Sequence, residues 1–275
     1  MKKWIRRIIV ILLAAVFIGS TTYVLVILHQ YRENDRRYAE MADSFTEITA
    51  AGNGQPAEPD GSGAAQSSQA TASGQMTAPI TVDFAGLKEV NEDIIGWLYC
   101  EGTAINYPVL QGEDNDQYLR NSYDGTYNAA GSIFVEALNR RDFQDSNTII
   151  YGHHMKNGSM FAVLDEWADQ AFYEAHPVMW LLTPERDYRI DLFSGYTTSA
   201  YSETYTIFMG PGEELDDYLA KCAELSDFQA DVELDGEARY VVLSTCAYVF
   251  DNARNVLHGR LVPVDSAGGM EKPRS

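Results

Sequence analysis

Cys246 closes the β-rich run Arg239-Tyr240-Val241-Val242-Leu243-Ser244-Thr245-Cys246, and a second such run starts at Arg254, eight residues further on. A thiolate is a nucleophile and a guanidinium is a fixed binder of negative charge. Side by side across a strand pair they suit acyl transfer, in which the attacked carbonyl oxygen becomes anionic. A cysteine nucleophile also needs a basic partner, most often histidine. Of the five histidines, His29 borders an apolar segment, His176 precedes Pro177 in a loop, and His258 lies within the last strand. His153 and His154 remain, after Asn147-Thr148-Ile149-Ile150-Tyr151-Gly152, a strand ending on glycine, where an imidazole can meet a strand-end thiol. Strand alternation does not choose between the two.

These side chains need a scaffold. Asp83 caps a helix in which Leu87, Val90 and Ile94 recur at helical spacing. Short strands are predicted over 104–109, 131–135, 148–151, 180–183, 188–196, 240–245 and 256–263, with Pro108 marking an edge or strand end. Residues 160–168 and 213–225 carry apolar positions every three or four residues, the second stretch following Pro211-Gly212 with acids in its first turn. Many short strands with few helices between them predict a mainly β fold, a closed or nearly closed barrel decorated by helices.

The rest of the chain locates this domain. Residues 8–28 carry no charge and at about 1.5 Å per residue span a hydrocarbon core of about 30 Å, so they predict a transmembrane helix. Lys2, Lys3, Arg6 and Arg7 form a basic segment over 1–7 that holds the N-terminus in the cytoplasm and places the bulk of the chain outside. Residues 29–81 read as a juxtamembrane segment followed by a flexible linker, since 51–80 are dominated by small and polar residues that cannot offset the entropy of ordering. The catalytic domain is predicted over 82–265, with a polar tail over 266–275. The chain carries a net charge of −20, and beyond residue 37 it holds 13 basic against 38 acidic side chains. That surface repels nucleic acid and excludes a nucleic-acid partner. Three cysteines cannot form a regular disulfide framework, and Cys100 and Cys222 sit on apolar faces as core residues. Without a C-x-x-C pair, and with His153-His154 lacking an i,i+4 partner, no metal or other cofactor is expected.

Tyr151-Gly152-His153-His154-Met155-Lys156-Asn157-Gly158-Ser159-Met160-Phe161 and Leu243-Ser244-Thr245-Cys246 followed by Arg254 resemble the two active-site segments of sortases, the membrane-anchored cysteine transpeptidases of Gram-positive bacteria. Gly96-Trp97-Leu98, the stretch from Gly102 to Val109, Asp114-Asn115 with Tyr118-Leu119, and Gly131-Ser132-Ile133-Phe134 extend the resemblance toward class B, in consistent order from about Val82 to Val264. The resemblance implies a sortase-type barrel with an N-terminal helical lead-in and a long helix inserted before the cysteine strand, which 213–225 would supply. It implies that Cys246 attacks the carbonyl after threonine in a C-terminal sorting motif of a secreted protein. A cell-wall amine would then resolve the thioacyl enzyme, attaching the protein to peptidoglycan. His153, chosen over His154 on the family pattern, would move the proton, and Arg254 would hold substrate and oxyanion. Substrate contacts would fall on Asn115, Leu119, Tyr151 and Ser244. Where the family often has aspartate and an arginine-asparagine pair after the Gly-Ser-Ile-Phe segment, this chain has Glu136-Ala137-Leu138-Asn139-Arg140, which leaves the role of that acid open. Arg254 is preferred to Arg260 because six residues at about 3.3 Å each place Arg260 about 20 Å further along the strand.

Two other readings compete. An extracytoplasmic cysteine peptidase would hydrolyse the same thioacyl intermediate, although a papain-like order, cysteine early and histidine late, is reversed here. A tethered, non-catalytic binding module would use the barrel only as a scaffold, with Cys246 a strand residue and Arg254 a surface charge.

Overall fold

The computed structural model describes residues 2–49 and 77–264. The linker reading therefore lies largely outside the described residues, as does the tail reading beyond residue 264.

The described chain opens on one helix, α1 (Lys2–Phe45), with an 18-residue stretch of mean hydropathy 2.5, long and apolar enough to cross a membrane. It runs without a break from the uncharged segment into the polar residues after it. There Arg36 pairs with Glu33 and Glu40, one turn away on either side.

The folded unit begins earlier than residue 82. Strand β1 (Thr46–Ile48) pairs antiparallel with β2 (Ile80–Val82), and Ala78 and Ile80 are buried, so the last residues assigned to the linker belong to the domain. Helix α2 (Phe84–Val90) starts where predicted, with the Asp83 carboxylate accepting from the Gly86 N–H. It stops sooner, at Asn91. Ile94, expected on the helix, instead opens strand β3 (Ile94–Tyr99).

Eight strands close the barrel: β3, β4 (Asn106–Leu110), β5 (Ile133–Val135), β6 (Asn147–Tyr151), β7 (Val178–Leu182), β8 (Asp187–Ser199), β9 (Arg239–Cys246) and β10 (Ala253–Val264), in the order β10-β8-β7-β3-β4-β5-β6-β9. Pro108 is tolerated within β4 because β5 joins that strand only from Val109 onward, so at Pro108 β4 has β3 as its one strand neighbour. Two pairings are parallel, β4 with β5 and β6 with β9. The second sends the C-terminal ends of β6 and β9 to one rim of the barrel.

Helices cover the outside. The periodic stretch 160–168 forms a 3₁₀ segment over Ala162–Ala168, followed by α3 (Gln170–Ala175), a short helix capped by Asp169 and not expected from the sequence. Helix α4 (Glu213–Glu224) lays Leu215, Tyr218, Leu219 and Cys222 against Ile149, Phe193, Tyr240, Val242 and Val256 of four strands, so β9 is buried on both faces through its middle. Cys100 and Cys222 are both core residues, and burial pushes the Cys100 thiol up to about 11.

Candidate active site

In the parallel β6/β9 pair Tyr151 stands opposite Ser244, and Gly152 N–H donates to Ser244 O at 3.1 Å. His153 and Cys246 therefore each lie two residues beyond the same rung, at the same rim of the barrel. In the antiparallel β9/β10 pair Arg254 stands opposite Cys246. Arg260 faces Tyr240 far down the ladder and donates to Glu233 O. One rim thus gathers a thiol, an imidazole and a guanidinium.

A cleft of about 250 Å³ opens there, lined by Asn115, Asp116, Leu119, Phe134, Tyr151, Gly152, His153, Ser244, Thr245, Cys246 and Arg254. All seven residues singled out from the sequence are among them. Cys246 is partly exposed, whereas the other two cysteines are buried.

Local contacts hold each group. Phe161 N–H donates to His153 O at 2.9 Å, closing the turn after β6, and the His153 ring places Nε2 2.6 Å from Leu119 O. Gly131 passes close to Leu119, and its φ of +57° and this approach exclude a side chain, since a Cβ there would sit 2.6 Å from Leu119 O. Gly152 is required sterically as well: its missing side chain leaves room for Ile133 and Phe161. Arg254 gives one N–H to Ala253 O at 2.9 Å, one of the five a guanidinium carries.

Glu136 organises the far wall of the cleft. Its Oε2 accepts from Asn115 Nδ2 at 2.7 Å and from the Tyr151 hydroxyl at 2.9 Å, while Asn115 Oδ1 takes the Ala137 N–H. Burial, then the charge and hydrogen bond of Glu136, push the Tyr151 hydroxyl far above the ordinary tyrosine range, so it stays a neutral donor. Tyr205 adds a second buttress: its hydroxyl lies 2.8 Å from Ser244 Oγ and its ring stacks on Tyr151. Burial raises the Tyr205 hydroxyl too, with the Ser244 hydrogen bond and then the Arg254 charge opposing that shift. Neither residue was singled out from the sequence. Glu136 was noted only as a departure from the family pattern, and no local signal marks Tyr205.

No family model matches the chain. Sortase B of Listeria monocytogenes is 39% identical to it over 181 residues, covering 64% of this chain and 72% of that protein. The chain belongs to the sortase B family. Solved sortase B structures agree in fold: one from Bacillus anthracis covers 86% of this chain and 99% of its own at a TM-score of 0.67 and 31% identity. A Staphylococcus aureus sortase B–substrate complex covers 66% of this chain and 85% of its own at a TM-score of 0.63 and 31% identity. The closed eight-stranded barrel is thus a sortase B barrel, and the chain is a cysteine transpeptidase.

Proposed function

We propose that this sortase is anchored in the membrane by α1, with Lys2, Lys3, Arg6 and Arg7 on the cytoplasmic side and the folded unit, which adds the β1/β2 pair to the expected 82–265, as the extracellular catalytic domain, and that it joins secreted proteins to the cell wall. The observation that carries the chemistry is that Cys246, His153 and Arg254 line one cleft at one rim, where two strand registers bring their segments together.

In this reading the sulfur of Cys246, its proton taken by His153, attacks the carbonyl carbon that follows threonine in a C-terminal sorting motif. The oxygen takes up negative charge beside the Arg254 guanidinium. Collapse breaks the C–N bond, His153 gives a proton to the departing amine, and the acyl group remains on sulfur as a thioester. A cell-wall amine then attacks the thioester, His153 takes its proton, the C–S bond breaks, and a new amide leaves with Cys246 restored. Asn115, Leu119, Tyr151 and Ser244 form the walls against which the motif lies. Glu136 and Tyr205 fix two of these, Tyr151 and Ser244, before substrate arrives, and Glu136 fixes Asn115 as well. The substrate complex of the S. aureus relative supports a cleft of this kind.

The test is turnover of a sorting-peptide library by the full chain in detergent, with and without an amine acceptor. Cys246→Ala and His153→Ala each abolish turnover, and Arg254→Ala lowers kcat by about a hundredfold or more, the scale of an oxyanion contact. The acceptor diverts product from acid to amide. Full activity in Cys246→Ala overturns the assignment, and product that stays acid at every acceptor concentration makes the chain a peptidase.

A further inference from the structure

A second carboxylate, outside the lining of the cleft, joins the two segments that carry His153 and Arg254. Asp165 lies in the 3₁₀ segment that follows the His153 turn. Its Oδ2 accepts from His154 Nε2 at 2.7 Å, and its Oδ1 accepts from Asn255 Nδ2. His154 is the residue after His153 and Asn255 is the residue after Arg254. In extended chain, consecutive side chains point to opposite faces. Arg254 can therefore face the cleft while its neighbour reaches outward to the same carboxylate that holds the neighbour of His153.

Each end of this contact is itself anchored. Asn255 Oδ1 accepts from Thr197 Oγ1 at 2.7 Å on β8, and Asn255 stands opposite Thr245, next to Cys246. The His154 side chain is 18% exposed, with Tyr248 edge-on at a centroid distance of 5.4 Å. Its Nδ1 is buried with no hydrogen-bond partner, which leaves Asp165 as the ring's one polar anchor among the described residues. The His154 backbone also bridges to Met160, and Phe161 N–H holds His153 O, so the turn that carries both histidines is tied down next to the Asp165 contact.

We propose that Asp165 is a positioning residue: its carboxylate clasps His154 to Asn255 and so sets the spacing between the His153 imidazole and the Arg254 guanidinium. The inference rests on the roles proposed above for those two groups. Because the Asp165 side chain is 43% exposed, the clasp adds little to stability, and its effect should appear in the rate instead.

The experiment measures kcat, KM and melting temperature of the full chain in detergent for Asp165→Ala, Asp165→Asn, His154→Ala and Asn255→Ala, and for each of the last two combined with Asp165→Ala. Asp165→Ala is expected to lower kcat roughly five- to twentyfold, the range for a small misplacement of catalytic groups, with KM within about twofold and the melting temperature nearly unchanged. His154→Ala and Asn255→Ala are expected to lower kcat alone but not further in the Asp165→Ala background, because either loss already opens the clasp. Asp165→Asn, which keeps one accepting oxygen, is expected to fall between wild type and Asp165→Ala. A kcat within twofold of wild type in Asp165→Ala, losses that multiply in the double variants, or losses that track melting temperature would each overturn the clasp. Cys246→Ala, measured beside them, separates the two failures. If it is dead while Asp165→Ala is normal, only the clasp falls; if it is active, the site assignment falls and takes the clasp with it.

Discussion

Replacing Glu136 with alanine removes the post to which one wall of the cleft is tied. The side chain is 8% exposed, and besides Asn115 and Tyr151 it accepts from Leu138 N–H at 3.3 Å. A hydrogen bond to a charged group contributes about 1.5–3 kcal/mol, and a buried donor left without a partner costs about 1–3 kcal/mol. Two short bonds are lost, but water entering the open side of the cleft recovers part of them, so Glu136→Ala should cost about 2–4 kcal/mol. Glu136→Gln keeps a carbonyl oxygen that can accept from both donors and sets an NH₂ against Leu138 N–H, for a cost of about 1 kcal/mol. Urea unfolding of wild type and variants measures this directly. In a double-mutant cycle, Glu136→Ala and Tyr151→Phe should together cost about 1 kcal/mol less than their sum, since they share one bond. KM for the sorting peptide should rise in Glu136→Ala as Asn115 and Tyr151 lose their orientation. A Glu136→Ala protein within about 0.5 kcal/mol of wild type, with unchanged KM, would refute the claim that this carboxylate organises the wall.

Other perturbations test other parts of the account. Burial holds His258 neutral, with its pKa lowered from 6.5 to about 3, so the unfolded chain binds more protons between those values. Stability is complete above pH 6.5 and falls as pH drops toward 3, by up to about 1.4 kcal/mol per unit. Relative to His258→Phe, wild type should lose about 2 kcal/mol between pH 7.5 and 5.0 in urea titrations, and parallel curves for the two would exclude this cause. Gly131→Ala forces a left-handed backbone on alanine and pushes on Leu119 O, so it should cost about 2 kcal/mol or more and lower kcat by moving the contact of the His153 ring; a neutral substitution would contradict the packing described. A charged methanethiosulfonate should modify one thiol of the folded protein and three after unfolding, with peptide mapping placing the first on Cys246. Rapid modification of Cys100 or Cys222 in the folded state would contradict their burial.

Seven of the eight barrel strands were legible as β-branched or aromatic runs bounded by turn residues, β3 (Ile94–Tyr99) being the one not assigned, and Cys246 and Arg254 sit at strand ends that the sequence marks. Alternation cannot tell a parallel neighbour from an antiparallel one, so the parallel β6/β9 pairing was invisible in the residues, which indicated only that a strand-end imidazole could meet a strand-end thiol. Ile94 fits the helical period of Leu87 and Val90, but Asn91 gives the last helical bond, to Leu87 O, and at φ −158° and ψ 120° turns the chain extended, and pairing with Leu110 takes Ile94 into β3. Residues 160–168 show helical spacing yet form 3₁₀ structure only from Ala162, because Met160 is held at a φ of +57° with its N–H bonded to the Tyr107 hydroxyl. Glu136 acts on Asn115 and Tyr151, and Tyr205 on Ser244. These separations of 21, 15 and 39 residues leave no periodic trace.

Intact-mass analysis of the full chain mixed with a sorting peptide, followed by mapping of the modified fragment, tests the central claim most directly. The account predicts an adduct equal to the acyl half of the peptide, carried on Cys246, absent in Cys246→Ala and discharged when an amine is added. Product formed with no adduct on Cys246, or an adduct that maps to another residue, would contradict it.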